Sequence, residues 1–141
     1  MKRFEYIDHT ADIIVKAYGR DLPEAFAAAA EGLFAVMTDE AATNGIDRIE
    51  FDVTSQDLDG LLVGLLSELI VRHEVDQIIG SDFTVELSGT DKLRCTARTE
   101  PVDPAKHSEG IHVKGISYHM LEIHEPSGDN DPAFVQVLFD V

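Results

Sequence analysis

The chain has 141 residues, 44% hydrophobic and 27% charged, with 10 Gly, 5 Pro and a single cysteine, Cys95. That is enough for one domain spanning residues 1–141, able to bury roughly two thirds of its unfolded surface without disulfides, and the lone cysteine excludes both an internal disulfide and a Cys-rich zinc module. Eleven basic against 27 acidic side chains leave a net charge of −16, which opposes binding to a phosphate backbone and favours cations or basic protein surfaces.

No apolar run approaches the ~20 residues that span a bilayer. Met1 to Tyr6 has no apolar stretch after its charges and does not read as a signal peptide. A soluble, cytoplasmic protein is therefore expected.

Residues 3–8 and 12–18 read as strands, the second alternating Ile13, Val15 and Ala17 with Ile14, Lys16 and Tyr18. Asp8-His9-Thr10-Ala11-Asp12 is polar enough for the turn between them. Asp21-Leu22-Pro23-Glu24 predicts a helix start, with Asp21 as cap, Pro23 in the first turn and Glu24 placed as in a capping box. Phe26, Ala29, Ala30, Leu33, Phe34 and Met37 follow at helical spacing, and Ala27 to Ala30 admit a close neighbour; Thr38-Asp39 ends this helix.

Arg48 to Thr54 alternates as a strand with one wet face. A second helix begins at Ser55 to Asp57 and carries Leu58, Leu61, Leu62, Leu65, Leu66, Leu69 and Ile70 on one stripe. Its Gly60 and Gly64 form a GxxxG pair, flanked by too many acidic residues for a membrane helix and suited to close packing. Phe83 to Leu87 and Leu93 to Arg98 flank Ser88-Gly89-Thr90-Asp91 as a hairpin, with Leu93, Cys95 and Ala97 facing inward. Pro101 to Gly110 reads as a loop, and Ile111 to Ile116, Tyr118 to His124 and Phe134 to Phe139 as three more strands. The fold class expected is α+β, two helices packed against a largely antiparallel sheet. The element order, strand–helix–strand and then helix–strand–strand, fits two related half-units.

Motifs exclude several chemistries. There is no HExxH, CxxC, GxSxG, GxGxxG or GxxxxGK[ST], so a zinc protease, a nucleophile-elbow hydrolase, a P-loop NTPase and a Rossmann dehydrogenase are not expected. Asp8, His9 and Asp12 offer donors that could meet at one cation, or two Asx residues that bond their own turn. The last strand carries its alternation to the end, where Asp140 and the carboxylate of Val141 lie side by side. This is either a frayed acidic tail or a pair of hard oxygen donors suited to Ca²⁺, Mg²⁺ or Mn²⁺.

Tyr6-Ile7-Asp8-His9-Thr10-Ala11-Asp12-Ile13, Ala17-Tyr18-Gly19 and Leu22-Pro23-Glu24-Ala25-Phe26 resemble the amino-terminal signature of the archease family. Met37-Thr38-Asp39, Asp103-Pro104 with His107, Val113-Lys114-Gly115-Ile116-Ser117-Tyr118-His119 and Val137-Leu138-Phe139-Asp140-Val141 extend the similarity over the whole chain. The resemblance implies a small acidic cofactor protein, not itself an enzyme. Its partner would be an RtcB-type RNA ligase that seals tRNA halves, helped towards guanylylation and repeated turnover. It also implies a metal site at Asp12, Asp140 and Val141, usually with calcium, and marks Asp8, His9, Asp39, Lys114 and His119 as family-typical positions without assigned roles. Gly64, Lys106 and Gly115 depart from the family pattern. The competing readings are a stand-alone metal-dependent hydrolase with His9 or His119 as base, and a small-molecule-binding module.

Overall fold

Asp21 caps the first helix, α1 (Leu22–Met37), its side chain accepting from the Glu24 N–H at 3.0 Å. Glu24 does not close a capping box: its carboxylate accepts from the Arg20 backbone at 3.3 Å and the Arg20 side chain at 3.1 Å. At the other end, the Thr38 N–H and hydroxyl both donate to the Phe34 carbonyl, at 2.9 and 2.8 Å. Between these caps α1 is buried on almost every side, including Ala27, Ala28, Ala29 and Ala30. Only Pro23, Glu24, Glu31 and Ala35 reach water, and a helix so nearly covered belongs inside the molecule.

The computed structural model describes residues 3–9, 12–38, 45–105, 107, 110–128 and 130–141, with Asp8 and His9 described through their backbone. Two antiparallel sheets enclose the helices. One orders its strands β1 (Phe4–His9), β2 (Asp12–Gly19), β7 (Ala133–Asp140), β6 (Gly115–His124); the other orders β3 (Asp47–Thr54), β5 (Lys92–Pro101), β4 (Ile78–Ser88). α1 packs against β2 and β7 on one side and β4 on the other. The second helix, α2 (Leu58–Asp76), packs against β6 and against the three-stranded sheet. The α+β class is thus as expected. The chain's middle forms one sheet and its two ends the other, so β2 and β3, which flank α1, lie in different sheets.

α2 is capped by Asp57, which accepts from Gly60 N–H at 2.8 Å, and its stripe is buried from Leu61 to Ile70, with Leu58 partly buried. The GxxxG pair serves close approach. A Cβ on Gly64 would lie 2.6 Å from Val53 Cγ1, and one on Gly60 would collide with the Ser55 hydroxyl. The glycines therefore let β3 and the turn after it press on the helix. Among the described residues no helix is long and apolar enough to cross a membrane.

Two boundaries differ from the sequence reading. β4 begins at Ile78 rather than Phe83, directly after the left-handed C-cap Gln77 (φ 53°). An irregularity between Ser81 and Thr84, with Asp82 at φ 51°, breaks the alternation that would have shown this. Ile111 to Lys114 is not a strand, so two strands rather than three follow the loop. Its backbone is spent elsewhere: the N–H groups of Gly110 and Ile111 donate to the Met37 and Val36 carbonyls at 3.0 and 2.8 Å, finishing the end of α1.

Leu93, Cys95 and Ala97 face the core as expected. Burial pushes the Cys95 thiol up to about 12, and a thiol is reactive only as thiolate. Native protein at neutral pH should therefore resist a thiol-reactive dye and label fully in guanidinium; rapid native labelling would show that the core around β5 is not closed.

Candidate metal centre and its supports

The antiparallel register draws one row across the end of the four-stranded sheet. His9 stands opposite Asp12, Asp12 opposite Asp140, and Asp140 opposite Gly115. Directly opposed residues share a face, with Cβ atoms ~4.5–5.5 Å apart, and like charges so placed repel. Asp12 is half-buried and Asp140 exposed. The end of β7 is not frayed: the Lys114 N–H donates to the Asp140 carbonyl at 2.7 Å, and the Val141 side chain packs against the core.

Of the positions singled out in the sequence, the structure thus brings together Asp12, Asp140, Val141 and Lys114, with the His9 backbone in the same row and Asp8 one position along, opposite Ile13. The side chains of Asp8 and His9, and all of Asp39, lie outside the described residues. His119 is set apart. It sits in a wide bulge of β6, between Ser117 opposite Leu138 and Glu122 opposite Gln136. Met120 in this bulge has a left-handed φ of 62°, and its carbonyl accepts from the Gln136 amide at 3.0 Å.

A buried polar pair missed in the sequence lies at the end of β5. His107 and Glu100 have side chains only 3% and 9% exposed, with His107 Nε2 2.9 Å from a Glu100 oxygen. His107 Nδ1 accepts from the Asp103 N–H at 2.8 Å, so the ring proton sits on Nε2 and is donated to Glu100. The His107 N–H returns to the Asp103 carbonyl, and Val102 N–H donates to the Gln77 carbonyl at 2.8 Å. These bonds fold the end of β5 onto α2, and the chain then reaches α1 through Gly110. A Cβ there would lie 2.7 Å from the Met37 carbonyl carbon. The only signal in the sequence was the spacing of Asp103, Pro104 and His107.

The donor set at the sheet end is hard oxygen, two carboxylates in direct opposition with the chain's last residue beside them. This fits Ca²⁺, Mg²⁺ or Mn²⁺ and not a soft metal. Among the described residues no group of three or more His, Cys, Asp or Glu side chains is gathered to hold an ion, and Asp12 and Asp140 are the two described carboxylates of this row. Nor do the described residues form a Ser-His-Asp relay. Ser127 Oγ and His124 Nε2 both bond Asp131, at 2.6 and 2.8 Å, and these bonds hold that carboxylate down at about 2. A nucleophile needs the histidine between serine and aspartate.

The Archease protein family (MTH1598/TM1083) model matches residues 4–141. An archease of Pyrococcus abyssi is 39% identical over 132 residues, covering 91% of this chain and 93% of the relative. One from Methanosarcina acetivorans is 38% identical, covering 99% and 97%. The solution structure of Methanobacterium thermoautotrophicum protein 1598 superposes with a TM-score of 0.81 at 31% identity over the whole of both chains. A Thermotoga maritima crystal structure, described as an archease and possible chaperone, shares the fold at a TM-score of 0.63, 20% identity and 97% and 96% coverage.

Replacing His107 with Phe keeps the ring volume but removes both side-chain hydrogen bonds, which should cost about 1–3 kcal/mol, read from the denaturation midpoint. Gly110→Ala should destabilise too, by forcing the chain off the end of α1. Unchanged midpoints in both would show that this connection carries no weight.

Proposed function

This chain belongs to the archease family, and from that premise we propose that it is a cytoplasmic protein cofactor, not an enzyme, which activates an RtcB-type RNA ligase in tRNA splicing. In this reading Asp12, Asp140 and the carboxylate of Val141 hold a divalent cation, calcium first among the candidates, and the loaded protein promotes guanylylation and repeated turnover of the ligase. The observation that carries it is the direct opposition of Asp12 and Asp140 across β2 and β7. Two carboxylates in that relation are stabilised by a shared cation. When bound, the ion would supply a fixed positive charge at an otherwise acidic sheet end. Water would fill the rest of its ~6–8 oxygen ligands.

The chain's own residues do the positioning. The β2–β7 pairing sets the carboxylates, the Lys114 backbone bond steadies Asp140, and the packed Val141 side chain keeps the final oxygens near. With a net charge of −16, contact with the ligase would run to a basic surface and strengthen at low salt. RNA itself would be held no more tightly than ~10⁻⁴ M at physiological salt, the weak end of non-specific binding.

With excess GTP, RNA ends and divalent metal, the ligase should turn over once or a few times alone and many times with this protein. An unchanged turnover number across metals and salt would end the reading. Asp12→Asn and Asp140→Asn should each weaken Ca²⁺ binding in calorimetry by about tenfold or more and lower activation with the fold intact. A carboxy-terminal extension, which turns the Val141 carboxylate into an amide, should act alike, and an amino-terminal one should not. Equal Ca²⁺ affinity with and without the carboxy-terminal extension would remove Val141 from the site.

A further inference from the structure

Among the described strands, β1 and β6 form the edges of one sheet and β3 and β4 those of the other. Three of these edges are short or broken. β1 has six residues, β6 loses register between Ser117 and Glu122, and β4 between Ser81 and Thr84. Natural sheets blunt their edges in these ways, so that no other chain adds to them. β3 is not blunted. It pairs with β5 without interruption from Asp47 to Thr54 and holds no Gly, Pro or left-handed residue. Among the described residues, nothing pairs with its outer edge.

A chain of net charge −16 should repel its own copies, yet the solvent face of this sheet is balanced. Arg48, Lys92, Arg94 and Arg98 stand there against Glu50, Asp52, Asp82 and Glu86. Arg94 is shared by Asp52 at 2.9 Å and Glu50 at 3.4 Å, and Arg98 reaches Asp82 at 3.7 Å. Arg48 stands directly opposite Arg98, a repulsive placement, and no described residue makes an ion pair with it. The inner face of β3 is incompletely covered as well. Ile49, Phe51 and Val53 are only partly buried, with the Arg72 guanidinium 4.9 Å from the Phe51 ring. Ile46, just before the strand, is 89% exposed.

We propose that β3 pairs antiparallel with β3 of a second copy, about a two-fold axis at Glu50, joining two three-stranded sheets into one of six strands. Only registers that set even-numbered residues against even-numbered ones keep the charged side chains on one face. Centring on Ile49 would set Asp47 against Phe51, and centring on Phe51 would set Glu50 against Asp52. Centring on Glu50 sets Arg48 of each copy against Asp52 of the other and Ile49 against Phe51, and carries Ile46 onto Thr54. Arg48 thereby gains the carboxylate it lacks. The one like-charged contact is Glu50 against its symmetry mate, and each Glu50 keeps its own Arg94. The contact is isologous and closes at two copies, with no open series to form a filament. It uses none of the residues at the acidic end of the four-stranded sheet.

An edge contact of this length buries less than the ~1,200–2,000 Å² of stable interfaces, so the dimer should be weak, with a Kd on the order of 100 μM. Sedimentation equilibrium of the full chain, from roughly tenfold below that value to tenfold above, should show it. Hydrogen exchange should slow with concentration at the β3 amides and not in β4 or β6. Arg48→Gln and Asp52→Asn should each weaken association roughly fivefold, the worth of two exposed ion pairs, and Glu50→Gln should strengthen it. Asp52→Asn is the discriminating variant because it lowers the net negative charge: were association set by overall charge, it would dimerise more tightly. Arg20→Gln, which matches the charge change of Arg48→Gln outside β3, should leave the Kd unaltered. All four positions are exposed, so the denaturation midpoint in dilute solution should stay close to the parent's. A monomer throughout that range, tighter association of Asp52→Asn, or protection at another edge would overturn the proposal. None of these readouts involves a ligase, and failure here leaves the ligase reading standing.

Discussion

The pairing of β2 with β7 joins the two ends of the chain, and much else in the molecule depends on it. Its register runs from Asp12 opposite Asp140 to Gly19 opposite Ala133. The inward set, Val15 and Ala17 against Val137 and Val135, is wholly buried against α1. A slip of one residue would turn these side chains to the outer face. The hydrophobic pattern that holds the core together is therefore also what holds the two carboxylates in opposition. A site built this way cannot drift without costing the fold.

A second set of constraints comes from the far side of the molecule. The buried Glu100–His107 pair closes the turn at the end of β5, Val102 bonds Gln77 at the end of α2, Gly110 and Ile111 finish α1, and Lys114 bonds Asp140. The Gly110, Ile111 and Lys114 links use main-chain groups that would otherwise be unsatisfied at an element's end. These bonds anchor the stretch between β5 and β6 at α2, at α1 and at the acidic end of the sheet.

Charge and shape then divide the labour at this end of the sheet. The net charge of −16 acts at long range and would favour a basic partner, but charge alone selects no orientation. Local geometry does that: two opposed carboxylates and a bulged edge strand. Met120 at φ 62° stands in that bulge, and a left-handed non-glycine residue costs free energy that the surrounding packing must cover. Such a bulge also keeps an edge strand from pairing with another chain.

Both helices were legible in the sequence because what defines them is local: Asp21 and Asp57 cap within three or four residues, and the apolar spacing repeats every turn. The hairpin around Gly89, which holds φ 64°, and the inward face of Cys95 were legible for the same reason. The start of β4 and the fate of Ile111 to Lys114 were not. An irregular register hides the first, and the second is decided by carbonyls at the end of a helix some seventy residues earlier in the chain. Asp12, Asp140 and Val141 could be named from residue type and resemblance. That Asp12 faces Asp140 is a matter of tertiary register alone. Tyr6, Ile7 and Ile111 lie in segments that read in sequence simply as strands, and the folded chain leaves all three exposed. Local propensity decides which segments become helix or strand. Which polar groups meet is settled by long-range pairing, and that pairing leaves no periodic trace in the sequence.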